Sequence, residues 1–333
     1  MAVTLADVAA AAGLSGSTVS RALSDPDKVN ASTRDRVVKI ATEMGYVPNH
    51  TARSLTSGRT DLIGLLVPDI ANPFFPPIIK AVQARAAAKG RTILISDIDE
   101  HPGDEVGRAR ELRKRTDGLI IASPRTPDNR LTALTELSPI VFINREIPDA
   151  ASVIIDAGDG MQQAVEHLAA LGHRHIAYLN GPRRSWSNEQ RRLAINEAAD
   201  RLGLTLSEHG PYEPQVQSGV HAADLVLAGG STAVIAYDDL IALGVMARLT
   251  ERGVRAGSEI SVIGVDDSPM SAMAYPTLTT VHVPGAEAGT VAVDSLLGLI
   301  DGTLDQTEPI RLETRLVVRS STGPAPAVAA TPA

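Results

Sequence analysis

Two short amphipathic patterns joined by a glycine lie at the start of the chain, and they restrict the possible folds more than any other stretch. Apolar residues recur at helical spacing from Leu5 to Ala12, and Thr4 and Asp7 are placed to form a capping box. Gly13 suits the left-handed residue that ends a helix, and Ser15 can cap the next one. The polar face of this second helix consists of Gly16, Ser17, Ser20 and Arg21. The pair predicts a helix-turn-helix, whose second helix can enter the major groove of DNA.

A third helical pattern follows the break at residues 25–27. Ser32 is expected to cap this helix, with Asp35 three residues further on, and Gly45 is expected to end it. Three short helices in sequence predict a small all-α head.

Six short motifs follow one another in this region. They are Thr4-Leu-Ala-Asp-Val-Ala, Leu14-Ser, Thr18-Val-Ser-Arg21, Thr33-Arg34, Met44-Gly-Tyr-Val-Pro-Asn49 and Ala52-Arg-Ser-Leu55. In this order and at these intervals they resemble the lactose/galactose-repressor family of bacterial transcription regulators. The resemblance continues over roughly residues 3 to 320. It implies a DNA-binding regulator, in particular a repressor, rather than an enzyme.

The resemblance also assigns DNA contacts. Gly16, Ser17 and Arg21 fall where the family reads base edges, and Arg21 could make a bidentate contact to guanine. Gly16 replaces the larger side chain often found there, which leaves the operator sequence open. The candidates for contacts to backbone phosphates are Thr4, Ser15, Thr18, Ser20, Ser24, Lys28 and Asn30. Taken singly, each of these could equally be a helix cap or a solvated polar residue.

Residues 49–60 resemble the hinge segment of the family, which forms a short helix when both subunits sit on DNA. Ala52 and Leu55 match this segment, and Leu55 is expected to wedge into the minor groove. The alternative for Leu55 is an ordinary apolar linker residue. We therefore expect a headpiece over residues 1–48 and a hinge helix or linker over residues 49–60.

Charge is distributed unevenly between the head and the rest of the chain. Residues 1–60 contain seven Lys and Arg against five acids, a net charge of +2, so the remaining 273 residues carry −10 of the total of −8. An acidic body repels DNA, so only the head should touch it. Because one modestly charged head would bind weakly, we expect a homodimer on a pseudo-palindromic operator, with an affinity that falls as salt rises.

Composition excludes several classes of protein. No apolar run of about 18 residues is present, so no transmembrane helix is expected. Polar residues near the N-terminus interrupt any signal peptide. The chain has no cysteine, which excludes disulfides and thiolate chemistry. These features fit a cytoplasmic protein.

From residue 62 onward, short apolar runs rich in branched residues alternate with helical patterns. The predicted strands are 62–67, 92–95, 118–121, 140–143, 153–155, 176–179, 233–236, 261–265 and 278–281, with extended structure at 310–318. This alternation predicts an α/β body of two doubly wound lobes with a cleft between them. It resembles the periplasmic-binding-protein fold of type I, with the chain crossing between lobes about three times.

We expect the effector-binding and dimerisation body to span residues 61–320. Its N-lobe should comprise about 61–158 and 284–310, and its C-lobe about 159–283 and 311–320. The Ala/Pro-rich tail over 321–333 is expected to be disordered. Because this tail carries no apolar heptad, we expect a dimer rather than a tetramer.

Ligands of open α/β sheets bind beyond the carboxyl ends of the strands. The side chains expected there include Phe74, Phe75, Asn144, Trp186, Ser187, Asp238 and Asp266. By resemblance, the effector contacts of the family fall on Phe74, Phe75, Ser187, Arg191, Asp238 and Asp266. Aromatic faces can stack on a sugar, while carboxylates and a guanidinium can bond vicinal hydroxyls. The alternatives are core packing for the two phenylalanines, a lid or surface role for Trp186, helix capping for the aspartates and an ion pair for Arg191.

The segment 181–187 resembles members of the family associated with ribose or nucleosides, although a hexose or a disaccharide stays open. Two rival interpretations use the same body. An enzyme would be expected to carry a Gly-x-Gly-x-x-Gly, a Walker loop or a Gly-x-Ser-x-Gly elbow, and none is present. A transport binding protein would need a signal peptide and no DNA-binding head. His173-Arg-His175 has metal-like spacing, but nothing nearby completes a ligand set, so neither a metal nor another cofactor is expected.

Overall fold

The computed structural model describes residues 3–24, 28–46, 59–101, 103–136, 139–305 and 308–326. The chain forms two compact units, Met1–Thr60 and Asp61–Ala333. The helices of the first unit are α1 Leu5–Ala12, α2 Gly16–Ser24 and α3 Ala31–Glu43. They pack around a small apolar core of Val8, Ala9, Ala12, Val19, Ala22, Val37 and Ala41. The predicted helix-turn-helix is therefore confirmed as the first two of three helices.

Local hydrogen bonds set the ends of these helices. Thr4 and Asp7 form the predicted capping box, in which each side chain accepts from the backbone N–H of the other residue. Gly13 ends α1 with a φ of 63°. The predicted cap of α3 is wrong, because Asn30 caps this helix instead of Ser32. The Asn30 Oδ1 atom accepts from the backbone N–H of Ser32 at 3.0 Å, so Ser32 already lies inside the first turn.

The second unit alternates strands and helices. The strands are β1 Leu62–Val67, β2 Thr92–Asp97, β3 Gly118–Ala122, β4 Ile140–Ile143, β5 Ala151–Asp156, β6 His175–Leu179, β7 Thr205–His209, β8 Ala233–Ala236, β9 Ser261–Asp266, β10 Thr279–His282, β11 Ile310–Glu313 and β12 Arg315–Val317. The helices are α4 Phe75–Ala88, α5 Glu105–Arg113, α6 Asp128–Thr135, α7 Gly158–Ala170, α8 Trp186–Leu202, α9 Val216–Ala228, α10 Asp239–Glu251, α11 Pro269–Met273 and α12 Gly285–Ile300.

Two six-stranded sheets form the two lobes. The N-lobe sheet has the order β11-β5-β4-β3-β1-β2, and the C-lobe sheet has the order β12-β10-β9-β8-β6-β7. Apart from the antiparallel pair β10 and β12, neighbouring strands run parallel. Strands β3, β4 and β8 are buried along their whole length, as expected for strands covered by helices on both faces. The predicted pair of doubly wound lobes is confirmed.

The chain crosses between the lobes three times, from β5 to α7, from β10 to α12 and from β11 to β12. The last crossing lies at Thr314, so the predicted boundary between residues 310 and 311 is corrected to a point after β11. The Thr314 hydroxyl donates to the Asp156 carbonyl at 2.7 Å and accepts from the Gly160 N–H at 3.2 Å. This one side chain therefore joins the first crossing to the third.

Strand β7 had no counterpart among the strands predicted from the sequence. Among the described residues, β7 pairs with β6 alone, at the edge of the C-lobe sheet. Its sequence Thr-Leu-Ser-Glu-His is polar, so it lacks the apolar run of a central strand. Helix α9 packs closely on α10. A Cβ atom at Gly219 would lie 2.0 Å from the Ile241 carbonyl oxygen, so only glycine allows this approach.

The tail does not match its predicted disorder up to residue 326. The backbone of Val262 donates to the Ser321 carbonyl at 2.8 Å, and the Ala325 N–H donates to the Leu171 carbonyl at 2.8 Å. Between them, the Gly323 carbonyl accepts from the Ser261 hydroxyl at 3.2 Å. Small residues are needed here, since a Cβ atom at Gly323 would lie 1.9 Å from the Gly257 carbonyl oxygen. Residues 327–333 lie outside the described part of the chain.

These contacts predict different effects for two truncations. A chain ending at Ser320 loses these three contacts together with further hydrogen bonds of Ser321, Thr322 and Gly323. It should lose at least about 3 kcal/mol of unfolding free energy, at about 1 kcal/mol for each hydrogen bond. A chain ending at Pro326 keeps them and should match the full chain. Urea unfolding followed by circular dichroism measures both. Equal midpoints for the two truncated chains would show that the docked tail contributes nothing.

Candidate functional site

The second helix of the head presents a polar surface. Val19 and Ala22 of α2 are buried, whereas the residues predicted to read bases, Gly16, Ser17 and Arg21, are exposed together with Ser20. This arrangement follows from helical spacing, because the apolar positions of α2 pack on α1 and α3. An exposed helix face of short polar residues and one arginine has the shape and chemistry needed to enter a major groove.

Three of the predicted phosphate contacts are also helix caps. Thr4 caps α1 and Asn30 caps α3. Ser15 caps α2, since its hydroxyl accepts from the Thr18 N–H at 3.2 Å and lies 2.8 Å from the Thr18 hydroxyl. All three caps are exposed, and so is Lys28. The Ser24 side chain lies outside the described part of the chain, as do Ala52, Leu55 and the rest of the predicted hinge up to residue 58.

The body brings most of the predicted effector residues together between its lobes. One small cavity, called the inner cavity, is lined by Asn72, Phe74, Phe75, Ser123, Arg125, Asn144, Arg191, Tyr237, Asp238 and Asp266. The residues up to 144 belong to the N-lobe and the others to the C-lobe. Each lies at or soon after the carboxyl end of a strand, apart from Arg191 on α8. Ser187 borders this cavity, because its Oγ atom accepts from Asn144 Nδ2 at 2.6 Å.

Trp186 lies apart from the inner cavity. It lines a larger neighbouring cavity of about 810 Å³, called the outer cavity. The lining of the outer cavity includes Arg125, Arg145, Arg183, Arg184, Ser185, Trp186, Glu189, Arg192 and Glu208. Arg125 is common to both cavities. A ligand that filled both would touch all the predicted effector residues except Ser187, which lies at their border.

The backbone at the inner cavity adopts conformations that most side chains avoid. Ser123, Asn144 and Asp266 have φ values of 45°, 59° and 113°. The first two directly follow β3 and β4, and Asp266 is the last residue of β9. Positive φ costs free energy for any residue with a Cβ atom, and such strain gathers at binding sites. The backbone conformation therefore points to the same strand ends as candidate binding positions as the polar side chains do.

Arg191 is a buried cation of the inner cavity. It is only 4% exposed, and its Nη1 atom donates to the Tyr237 carbonyl at 2.5 Å. Its guanidinium carbon lies 4.7 Å from the centre of the Tyr237 ring. Its Nη2 atom lies 3.8 Å from Asp266 Oδ1, too far for a hydrogen bond. The predicted alternative of an ion pair is thus only partly realised.

The two aspartates of the cavity hold protons more tightly than usual. Burial raises the pKa of Asp238 to about 7, and the neighbouring Asp239 carboxyl adds to the effect. Burial also raises the pKa of Asp266 well above its usual value, while Arg191 opposes this shift. Asp238 Oδ1 caps α10 by accepting from the Ile241 N–H at 2.8 Å. The capping alternative therefore holds for one oxygen of Asp238.

The second carboxyl oxygen of Asp238 has no hydrogen-bond partner in the part of the chain that the structure describes. Among the described residues, the buried side-chain atoms without a hydrogen bond include Asp238 Oδ2 and the Nε atoms of Arg125, Arg145 and Arg191. All four residues line the inner or the outer cavity. Buried polar atoms are nearly always satisfied in proteins, so such a cluster is suited to a polar ligand.

Arg125 and Tyr237 were not identified from the sequence. Arg125 is 3% exposed, and its Nη1 atom donates to the Ser123 carbonyl at 3.1 Å in its own lobe and to Ser185 Oγ at 3.4 Å across the cleft. Tyr237 precedes Asp238 directly, and its hydroxyl lies 3.1 Å from Ser185 Oγ. Both residues follow strands, β3 and β8, so a complete survey of strand ends would have found them.

Two side-chain hydrogen bonds connect the lobes at the inner cavity, one from Asn144 to Ser187 and one from Arg125 to Ser185. The cavity measures about 20 Å³ and would take about one water molecule. A sugar can therefore enter only if the lobes or the side chains move apart.

Within the ranges that the structure describes, no helix combines the length and apolarity needed to span a bilayer. Across the same ranges, no group of three or more His, Asp and Glu residues is placed to hold a metal ion. His173 is instead buried, with Nδ1 2.8 Å from Thr232 Oγ1 and Nε2 2.9 Å from Ser261 Oγ.

Two family models match the chain. Residues 4–49 match the model described as bacterial regulatory proteins, lacI family. Residues 165–322 match the model of a periplasmic binding protein-like domain. The first match covers the head, and the second covers most of the C-lobe together with the later crossings.

Similar proteins align over nearly the whole chain. The HTH-type transcriptional regulator DegA of Bacillus subtilis is 32% identical over 97% of this chain and 99% of its own length. The HTH-type transcriptional regulator GalS of Salmonella typhimurium is 34% identical over 96% of each chain. Among solved structures, the lac repressor dimer bound to operator and the anti-inducer ONPF matches with a TM-score of 0.86 and 32% identity, over 97% of this chain and 100% of that one.

The exposed polar face of α2, the two sheets with their interlobe cleft and these full-length similarities agree. They also exclude the rival interpretations of an enzyme and of a transport protein. The chain belongs to the lacI family of bacterial regulatory proteins and is a DNA-binding transcriptional regulator.

Proposed function

We propose that this chain is a repressor that binds a pseudo-palindromic operator as a homodimer, and that a polyol effector bound between the lobes controls its affinity for DNA. The effector is a sugar or a nucleoside, and ribose-type compounds are the first candidates. The observation that carries the effector site is the group of buried, partly unsatisfied side chains at the inner cavity, Arg191, Asp238 and Asp266. Carboxyl and guanidinium groups bond hydroxyls, and Phe74 and Phe75 supply an apolar wall.

The similar lac repressor structure supports the remaining parts of the proposal. That protein is a dimer and holds operator DNA together with a small molecule. In the present chain, exposed apolar side chains could pair two copies. Tyr275 is 98% exposed and Met273 is 82% exposed, both at or after α11. Apolar groups this exposed favour burial against another protein surface.

The proposed control is a shift between two arrangements of the lobes. An effector that widens the inner cavity must break or lengthen the bonds from Asn144 to Ser187 and from Arg125 to Ser185. Such a change would alter the spacing at which the two linkers of a dimer emerge, and with it the ability of the hinge segments to form on DNA. An effector can do this only if its affinities for the two arrangements differ.

Substitution of Asp266 tests the effector site. Asp266→Asn should weaken effector binding by about tenfold or more, because an amide NH2 group replaces one carboxyl oxygen and cannot accept a hydrogen bond from a ligand hydroxyl. Operator affinity without effector should stay unchanged. The effector is first found from ribose, nucleosides, hexoses, disaccharides and purines by Trp186 fluorescence. An operator is selected from random DNA by binding to the protein. The effect of the effector on the affinity for this labelled operator is then measured by fluorescence anisotropy.

The matched control is Asp200→Asn, which changes the same charge on the exposed surface of α8. It should respond to effector like the unmodified protein. A normal response from Asp266→Asn would remove Asp266 from the effector site.

Substitution of Leu55 tests the hinge, which lies outside the described residues. Leu55→Ala removes the proposed minor-groove wedge and should weaken operator binding about tenfold or more, since such wedges stabilise a bent duplex. Effector affinity should not change, and Leu55→Met should retain most of the DNA affinity. The same anisotropy assay measures all three proteins, and equal operator binding by Leu55→Ala would contradict the hinge assignment.

The protons held by the buried aspartates predict how stability depends on pH. Asp238 has a pKa of about 7 in the folded body against 3.8 ordinarily, and Asp239 has a pKa of about 6, raised mainly by burial. Between these values the folded state binds more protons than the unfolded state, so stability falls as pH rises from about 4 to about 7. The melting temperature should therefore be lower at pH 8 than at pH 5.

Asp238→Asn should make this decrease smaller, because asparagine keeps the oxygen that caps α10 and cannot ionise. The control is Asp224→Asn, since hydrogen-bonded ion pairs with Arg248 and Arg252 hold the pKa of half-buried Asp224 at about 2. The Asp224 carboxyl group is ionised at pH 5 and at pH 8 in both the folded and the unfolded protein. Its replacement should therefore leave the difference in melting temperature between the two pH values unchanged. Scanning calorimetry of the three proteins decides, and an unchanged difference for Asp238→Asn would refute the assignment.

A further inference from the structure

Arginines dominate the charge of the outer cavity. Its lining carries five of them, Arg125, Arg145, Arg183, Arg184 and Arg192, against the two acids Glu189 and Glu208. A neutral sugar gains little from so many cations, because hydroxyls are satisfied equally well by uncharged amides and hydroxyls.

The ion pairs at this cavity leave part of its positive charge uncompensated. Arg192 uses both glutamates of the lining, with distances of 2.9 Å to Glu189 and 3.5 Å to Glu208. Arg145 is paired with Asp128, just outside the lining. Within the described ranges, neither Arg183 nor Arg184 has an ion pair or a side-chain hydrogen bond. Both are exposed at the cavity, in the turn that leads into α8.

Arg125 gives the second and independent observation. It is 97% buried, its Nε atom has no partner, and it lines the inner cavity as well as the outer one. Glu100 lies 3.3 Å from its Nη2 atom and compensates part of its charge. Among the described residues, the buried unsatisfied donors that line the two cavities are the Nε atoms of Arg125, Arg145 and Arg191, and the buried unsatisfied acceptor is Asp238 Oδ2. A ligand that satisfies them must offer more acceptors than donors.

The start of α8 adds to the same preference. Ser185 caps this helix of 17 residues, and Ser185 and Trp186 both line the outer cavity. The first N–H groups of a helix have no partner within it and carry a partial positive charge, which favours an anion nearby. Here the helix end is joined by a buried and unsatisfied arginine, Arg125.

From this geometry we infer that the effector is an anionic polyol, whose hydroxyl groups contact Asp238 and Asp266 in the inner cavity while its phosphate or carboxylate group is held in the outer cavity by Arg125, Arg183 and Arg184. The inference rests on the proposed effector-controlled function and narrows its ligand class. A planar guanidinium matches two oxygens of a phosphate or a carboxylate, so Arg125 is well suited to the boundary between the two parts of the ligand.

The test compares neutral sugars with their anionic forms on the full-length protein. The probes are ribose and ribose 5-phosphate, glucose and glucose 6-phosphate, and gluconate as a carboxylate. Binding is followed by Trp186 fluorescence and by calorimetry. At least one anion should bind about tenfold tighter than its neutral parent, as expected for one added charge-assisted contact. The phosphates and gluconate together show which oxyanion is preferred.

A double substitution locates the anion. Arg183→Gln with Arg184→Gln should weaken binding of the anion about tenfold and leave binding of the neutral parent unchanged. These side chains are exposed, so folding should not suffer. The control is Arg201→Gln in the last turn of the same helix, where Arg201 is paired with Glu166. It should affect neither ligand.

Three results would overturn the inference. They are equal affinities for neutral and anionic forms, an equal loss of both in the double variant, and no binding by any of the anions. The operator assay separates this failure from that of the proposed function. A neutral sugar that binds and changes operator affinity would keep the effector-controlled function and refute the anionic class. An anion that binds with the expected loss in the double variant, yet leaves operator affinity unchanged, would support the site and refute its regulatory role.

Discussion

Arg191 is almost fully buried, yet its closest carboxylate, on Asp266, lies beyond hydrogen-bonding distance at 3.8 Å. A buried guanidinium without a close anion is costly, and the protein compensates only in part through the carbonyl and ring of Tyr237. Burial in turn raises the pKa of both Asp266 and Asp238. The cleft is thus a region in which charges are brought together without being fully paired. The two apolar sheets must be stable enough to hold it.

The sheets meet that requirement by confining polarity to their ends. Strands β3, β4 and β8 have no exposed residue, and polar residues follow within two positions at Ser123, Asn144 and Asp238. Parallel strands bring their carboxyl ends to one edge, so each lobe presents a polar rim to the other. The head follows the same logic on a smaller scale, with an apolar core beneath the exposed face of α2.

Much of this could be predicted from the sequence, because periodicity and strand ends reflect burial. The capping box of α1 and the central strands of both sheets came from such patterns. Strand β7 escaped because an edge strand needs no apolar run, and the tail escaped because its small residues look like those of a disordered segment. The correct cap of α3, Asn30, differs from the predicted Ser32 by a shift in the start of the helix. Nothing local separates the two.

The site could be predicted less completely. Residues that end a strand, such as Asn144 and Asp266, were found because topology alone places them. Trp186 was expected beside them, but its side chain lines the outer cavity and not the inner one. The role of Arg125 depends on Ser185, 60 residues further along the chain and in the other lobe. A contact of that kind follows from how the lobes close, which no local pattern encodes.

Thr314 has a mechanical consequence. Its hydroxyl donates a hydrogen bond to the carbonyl of Asp156 and accepts one from the amide of Gly160. Two of the three crossings between the lobes are therefore linked at one residue. Two lobes linked at one point can rotate about that point more easily than they can slide past each other. The lobes should therefore open by a hinge motion, with little displacement near Thr314 and the greatest displacement at the side of the cleft farthest from it. A ligand bound at that side of the cleft lies farthest from the rotation axis, so a small ligand there can exert the largest torque on the two lobes.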